Sequence, residues 1–227
     1  MRILITGAAG FIGSFLVKSI LKSQEWNEIK VLGLDNMSEY YDVRLKNSRL
    51  ENLKSLEGFS YIKGSICDKA LLEKIFTEFK PEIVVNLAAQ AGVRDSISNP
   101  EAYIESNIFG FFNILEACRH AGEWYEGGVK HLVYASSSSV YGEGCDVPYS
   151  IDAKVDRPVS LYAATKKCDE LMAHAYSKLY GIPCTGLRFF TVYGPAGRPD
   201  MAYFDFTKKL VEGEKIKIYN YGNCMRD

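Results

Sequence analysis

Tyr162 and Lys166 stand four residues apart in Tyr162-Ala163-Ala164-Thr165-Lys166, a spacing that puts both side chains on one face of a helix. A free tyrosine, with a pKa of about 10, is a poor base at neutral pH. A neighbouring ammonium favours the phenolate, which can take the proton of a hydroxyl as hydride leaves the same carbon. Upstream, Val133-Tyr134-Ala135-Ser136-Ser137-Ser138-Ser139-Val140-Tyr141-Gly142 runs from an apolar strand into a row of hydroxyls. Ser137 is the one to place beside the Tyr162–Lys166 pair, as a hydrogen-bond donor to the reacting oxygen. The Tyr-Lys spacing also occurs by chance on surface helices, and a serine run is ordinarily a loop. Both gain weight from what precedes them.

What precedes them is a glycine turn. Arg2-Ile3-Leu4-Ile5 is a short apolar run, and apolar residues recur at helical spacing from Phe11 to Ile20. Gly7, Gly10 and Gly13 therefore sit where a strand turns into a helix, the context a dinucleotide fingerprint requires. Gly7 permits the tight turn, Gly10 the approach of a pyrophosphate, and Gly13 close packing of helix on strand, with the helix N-terminus facing the phosphates. Lys30-Val31-Leu32-Gly33-Leu34 is a second buried strand ended by Asp35, 22 residues after Gly13. A carboxylate there suits ribose hydroxyls and repels a 2′-phosphate. No Arg or Lys follows before Arg44, which favours NAD over NADP. The other reading of Asp35 is a strand-ending turn residue.

Strands and helices then alternate. Helices are expected over residues 43–56, 69–79, 107–121 and 160–180, and strands over 59–63, 82–87, 131–135 and 184–190, with a loosened loop at 121–129. This rhythm predicts an α/β fold, a doubly wound parallel sheet of Rossmann type. The NAD-binding domain is expected over 1–188, and the beginning of an incomplete C-terminal substrate-binding lobe over 189–227.

The 227 residues carry a net charge of −1, which gives no case for nucleic acid or an anionic membrane. Cys67, Cys118, Cys145, Cys168, Cys184 and Cys224 show no metal-ligand spacing, and His120, His131 and His174 are isolated, so no metal site is expected. Met1 leads straight into the first strand without a signal peptide, and no apolar run has the length of a membrane span. A cytoplasmic protein with reduced thiols is expected.

Gly7-x-x-Gly10-x-x-Gly13, Leu87-Ala88-Ala89-Gln90-Ala91-Gly92-Val93-Arg94, the serine block, Ser160-Leu161-Tyr162-Ala163-Ala164-Thr165-Lys166-Lys167 and Leu187-Arg188-Phe189-Phe190-Thr191-Val192-Tyr193-Gly194-Pro195 together resemble the nucleotide-sugar epimerases of the extended short-chain dehydrogenase/reductase family. Within it the likeness is greatest to the UDP-glucuronate 4-epimerases. The resemblance implies NAD-dependent 4-epimerisation of UDP-glucuronate to UDP-galacturonate through a 4-keto sugar, in nucleotide-sugar metabolism for surface polysaccharide. Hydride would leave C4 while Tyr162 takes the hydroxyl proton; the keto sugar would turn about its diphosphate link and receive the hydride on its other face. By the same resemblance Gly7, Gly10, Phe11, Ile12 and Gly13 would cradle the pyrophosphate, and Asp35 and Asn36 would hold the adenosine ribose. Ser65 and Ile66 would meet the adenine, and Leu87, Ala88 and Ala89 would lie along the cofactor. Tyr162 would be the base, Lys166 its partner and ribose ligand, and Ser137 the helper. Ser138, Ser139, Thr191 and Arg198 would receive the sugar carboxylate, with Arg94 near by, and Arg226 would bind the diphosphate. A homodimer through the helices at 107–121 and 160–180 is implied too.

Related 4,6-dehydratases carry Asp-Glu at the positions of Ser138 and Ser139, and related decarboxylases tend to have Glu at the position of Ser139, so the serines speak for epimerisation. Departures from the family pattern are Ser65, where Asp is usual, Ala196, where Trp is usual, and an end at Asp227 where relatives continue. A truncated NAD-binding module without turnover, or another nucleotide-sugar epimerase or dehydratase of the family, therefore stands as the alternative.

Overall fold

A computed structural model describes residues 1–23, 28–218 and 220–222. Its centre is a six-stranded parallel sheet of β1 (Arg2–Thr6), β2 (Lys30–Asp35), β3 (Phe59–Lys63), β4 (Ile83–Asn86), β5 (His131–Ser137) and β6 (Cys184–Phe189), in the order β3-β2-β1-β4-β5-β6. The order reverses between β1 and β4, and crevices that bind ligands lie at such a switch point, at the carboxyl ends of the strands. Thr6 ends β1 opposite Leu34 and Asn86. Its hydroxyl donates to Asn86 Oδ1 at 2.6 Å and accepts the Ala88 N–H at 3.1 Å, tying the loop after β4 to the sheet.

The helices are α1 (Phe11–Lys22), α2 (Val43–Lys54), α3 (Lys69–Phe79), the short α4 (Asp95–Ser98) and α5 (Pro100–Tyr103), α6 (Gly110–Trp124), α7 (Leu161–Tyr180) and α8 (Ala202–Glu212). Strand side chains alternate between two cores, as a pleat of period two requires. Ile3, Ile5, Val31 and Val85 pack with Val17 and Ile20 of α1 and Leu53 of α2. Leu4, Leu32, Val84 and Leu132 pack with Leu72, Ile75 and Phe76 of α3 and Phe111, Ile114 and Leu115 of α6. The central strands are thus buried on both faces, which is why they read as almost unbroken apolar runs.

The short α4 and α5 form where no element was expected, and three further elements differ from expectation. The helix expected at 107–121 begins as a π-helical turn over Ile104–Phe109 and continues as α6 to Trp124. It passes through Gly122, where a loop was expected, because Ala121 and Tyr125 are buried and Trp124 packs against the core. β5 runs on to Ser137 and is followed by a 3-10 turn, Ser138–Tyr141, so the serine row is ordered backbone. Beyond β6, α8 forms where no element was expected, and none of its residues is buried.

Candidate active site and nucleotide crevice

A crevice of about 900 Å³ opens over the carboxyl ends of β1, β2, β4, β5 and β6. Gly7, Gly10, Phe11, Ile12 and Gly13 line it from the first turn, Asp35 and Asn36 from the end of β2, and Ser65 and Ile66 from the loop after β3. Leu87, Ala88, Ala89 and Arg94 line it from the loop after β4, and Ser137 and Ser139 from the end of β5. Tyr162 and Lys166 of α7 and Thr191 and Arg198 after β6 complete the wall. Ser138 differs: it is buried and does not line the crevice. Both serines lie in the 3-10 turn after β5, and of this pair only Ser139 lines the crevice. Arg226 lies outside the described residues.

The first turn has the shape of a dinucleotide cradle. Gly7 has φ +70°, and a Cβ there would stand 2.8 Å from Ala88 N. A Cβ on Gly13 would collide with the Gly7 carbonyl. No side chain caps α1 and its first turn holds no acidic residue, so its leading N–H groups are left for an anion. The cradle, the open crevice and the Asp35 carboxylate fit a dinucleotide.

The ribose end is more elaborate than a lone carboxylate. Asp35 Oδ2 accepts the Ala9 N–H at 3.1 Å and Oδ1 the Met37 N–H at 2.8 Å. Lys46 of α2 lies 3.7 Å from Oδ1 and also lines the crevice. Burial pulls the Lys46 ammonium below the ordinary lysine value, with Asp35 opposing. No Arg or Lys precedes Arg44 in the chain after Asp35, but the turn before α2 folds back and brings Lys46, just beyond Arg44, to Asp35. Arg49, one helical turn on, donates to the Ala9 carbonyl at 3.2 Å, the Tyr41 hydroxyl at 2.6 Å and the Ala196 carbonyl at 2.6 Å. It joins the glycine turn to the segment after β6. Ser65 is partly committed, since its hydroxyl accepts the Cys67 N–H at 3.1 Å.

At the other end, Ser160 caps α7 by accepting the Ala163 N–H at 3.1 Å, which places Tyr162 in the first turn and Lys166 one turn later. The Tyr162 ring meets Tyr103 edge-on at 6.2 Å, and the Tyr103 hydroxyl donates to the Gly92 carbonyl at 2.6 Å. Lys166 is buried and donates to Asp169 Oδ2 at 3.1 Å; burial pushes the Asp169 carboxyl up to about 6, against the pull of Lys166. The Ser137 hydroxyl accepts the Ser139 N–H at 3.1 Å, which fixes it at the strand end.

Three supporting residues did not stand out in the sequence. Asn107, inside the π-helical turn, accepts the Gln90 N–H at 2.8 Å and donates to the Gln90 carbonyl and Thr165 hydroxyl, so it links the loop after β4 to α7. Such turns often mark functional sites. Glu170 accepts Ser136 Oγ at 2.7 Å and Arg188 Nε at 2.8 Å, joining β5, α7 and β6. Burial raises its carboxyl, but the bonds from Arg188 and Ser136 outweigh that and hold it low. Glu170 continues the i, i+4 row of Tyr162 and Lys166, the one signal that could have found it. Asp200 pairs with Arg198 through Nε at 3.0 Å and through Nη2, and the guanidinium lies over Tyr40. Burial opposes the charge of Arg198, and Asp200 more than restores it.

A family model matches residues 3–227: the NAD dependent epimerase/dehydratase family. The chain belongs to that family. Protein CapI of Staphylococcus aureus is 54% identical over all of this chain, which spans 65% of that protein. UDP-glucuronate 4-epimerase 3 of Arabidopsis thaliana is 47% identical over 99% of this chain and 51% of its own length. The crystal structure of UDP-glucuronic acid 4-epimerase from Bacillus cereus, in complex with UDP-glucuronic acid and NAD, superposes with a TM-score of 0.84 at 36% identity, covering 94% of this chain and 64% of that one. The chain therefore spans between half and two thirds of the length of these relatives.

Proposed function

We propose that this member of the NAD dependent epimerase/dehydratase family catalyses 4-epimerisation of UDP-glucuronate to UDP-galacturonate. The observation that carries the reading is a single crevice lined at one end by the glycine turn and Asp35, in the middle by Ser137, Tyr162 and Lys166, and at the far side by Ser139, Thr191 and Arg198. NAD, bound along the glycine turn, supplies the acceptor and later the donor of the C4 hydride. Tyr162 takes the proton of the C4 hydroxyl and returns it after the sugar has turned over. Lys166 favours the phenolate by its charge and holds the nicotinamide ribose. Ser137 donates to the C4 oxygen. Arg198, with Thr191 and Ser139, receives the C6 carboxylate, a planar anion suited to a guanidinium fork. Arg94 stands on the same wall, and Arg226 is assigned the diphosphate. Ser138 and Ser139 leave the strand end without the carboxylates that dehydration at C5 and C6 or loss of CO₂ would use.

Residues 1–188 serve as the nucleotide-binding unit and 189–227 begin the sugar-binding one. A homodimer is proposed through α6, α7 and the turn between α5 and α6, where Phe109, Phe112, Leu171 and Leu179 are exposed. Exposed apolar side chains on neighbouring helices suit a second copy. A cytoplasmic setting agrees with the five described cysteines, all of them free thiols, and no described helix is long and apolar enough to cross a membrane. Surface polysaccharide is the destination proposed for the product.

Kinetics of Arg198→Ala and Tyr162→Phe test the assignment. Arg198→Ala should raise KM for UDP-glucuronate about tenfold or more and leave any turnover of UDP-glucose little changed. Tyr162→Phe should lower kcat by about 10²–10⁴ with NAD still bound. An equal effect of Arg198→Ala on both sugars would refute the uronate reading.

A further inference from the structure

Among the charged side chains that line the crevice, the buried Lys46 ammonium has no task in the proposed reaction. Its side chain is 7% exposed, beside an Asp35 side chain 6% exposed. Besides Asp35 at 3.7 Å, Lys46 donates to Ser38 Oγ at 3.2 Å and lies 5.3 Å from the centre of the Tyr41 ring. Arg49, three residues on and also buried, spends its bonds on the Ala9 and Ala196 carbonyls and the Tyr41 hydroxyl. Of these two cations on α2, Lys46 is the one that meets the Asp35 carboxylate. Asp35, Ser38 and Lys46 all line the crevice.

Burying an ammonium is costly unless it is paired. Neutral ribose hydroxyls need an acceptor, which Asp35 supplies without help from a cation. A lysine and a serine hydroxyl side by side are instead the donors a phosphate ester takes. We infer that Lys46 is a specificity-determining residue at the adenosine end: its ammonium is a phosphate-binding group that Asp35 keeps neutralised. Asp35 then excludes a 2′-phosphate in two ways, by its own charge and by occupying the adjacent ammonium. The inference rests on the reading that Asp35 holds the adenosine ribose.

Calorimetric titration of the nucleotide-free protein with NAD⁺ and with NADP⁺ tests it in the parent, Asp35→Asn and the double variant Asp35→Asn/Lys46→Met. Asp35→Ser serves as a second replacement should Asp35→Asn not fold. Asp35→Asn should weaken NAD⁺ binding about tenfold and strengthen NADP⁺ binding about tenfold or more, an ammonium–phosphate bond having replaced a repulsion. In the double variant the NADP⁺ gain should vanish. A gain that survives Lys46→Met overturns the inference, as does weakened NAD⁺ binding with no NADP⁺ gain. Unchanged NAD⁺ affinity in both Asp35 variants would instead refute the ribose reading and take the inference with it.

Discussion

Lys166 Nζ lies 3.1 Å from the Asp169 carboxylate, with both side chains almost wholly buried on α7. The second oxygen of Asp169 is buried without a hydrogen-bond partner among the described residues. The pair ties the proposed ribose-binding lysine to its own helix, and the unpartnered oxygen is why burial outweighs Lys166 and raises the Asp169 carboxyl to about 6. An acid whose folded value is raised binds its proton more tightly in the folded state. Its contribution to stability is complete below the unfolded value of 3.8 and is lost as pH rises through about 6. Asp169→Asn removes that titration. Urea melts between pH 4 and pH 7 should show the parent losing stability relative to Asp169→Asn as pH rises; a difference independent of pH would contradict the assignment.

Glu170 holds three elements together, and its loss should be felt as stability. Glu170→Ala strands Arg188 and Ser136 at the edge of the sheet. Removing one partner of a largely buried ion pair costs about 3 kcal/mol, which a urea melt at pH 7 would register. A cost below about 1 kcal/mol would place Glu170 among ordinary surface charges.

The glycine turn makes a sharper demand. A methyl group on Gly13 meets the Gly7 carbonyl, which is backbone and can yield only by opening the cradle. Gly13→Ala should destabilise by about 1–3 kcal/mol and lose measurable NAD⁺ binding by calorimetry. Undiminished affinity would mean the pyrophosphate lies elsewhere.

The centre of the sheet was legible because its central strands are buried on both faces, so Ile3-Leu4-Ile5 and Ile83-Val84-Val85 stand out as apolar runs. Helix α3 matches its expected bounds because both ends are marked: Asp68 accepts the Leu71 N–H at 3.0 Å, and Lys80 takes a left-handed conformation before Pro81. The glycines, Asp35, Ser137, Tyr162 and Lys166 were legible because each stands at a strand end or on one helix face. Lys46 and Asp200 were not, because they reach the crevice only when the segments after β2 and β6 fold back over it. The π-helical turn around Asn107 has no pattern of its own, since its residue types suit an α-helix. Helix α8 buries none of its residues, although Tyr203, Phe206 and Leu210 recur at helical spacing, a stripe that was overlooked.

The exposed faces of α6 and α7 give a prediction about assembly. Light scattering on the purified protein should give a dimer, and Phe109→Glu with Leu171→Glu should give a monomer with a melting temperature little changed. Both residues are 59% exposed in the single chain, so neither charge strains the fold. A monomeric parent would end the dimer proposal.

The most direct test of the central claim is proton NMR of UDP-glucuronate incubated with the purified protein and NAD⁺. The C4 epimer, UDP-galacturonate, should accumulate with no CO₂ released and no net change in NAD⁺. Absence of the epimer while NAD⁺ remains bound, or release of CO₂, would contradict it.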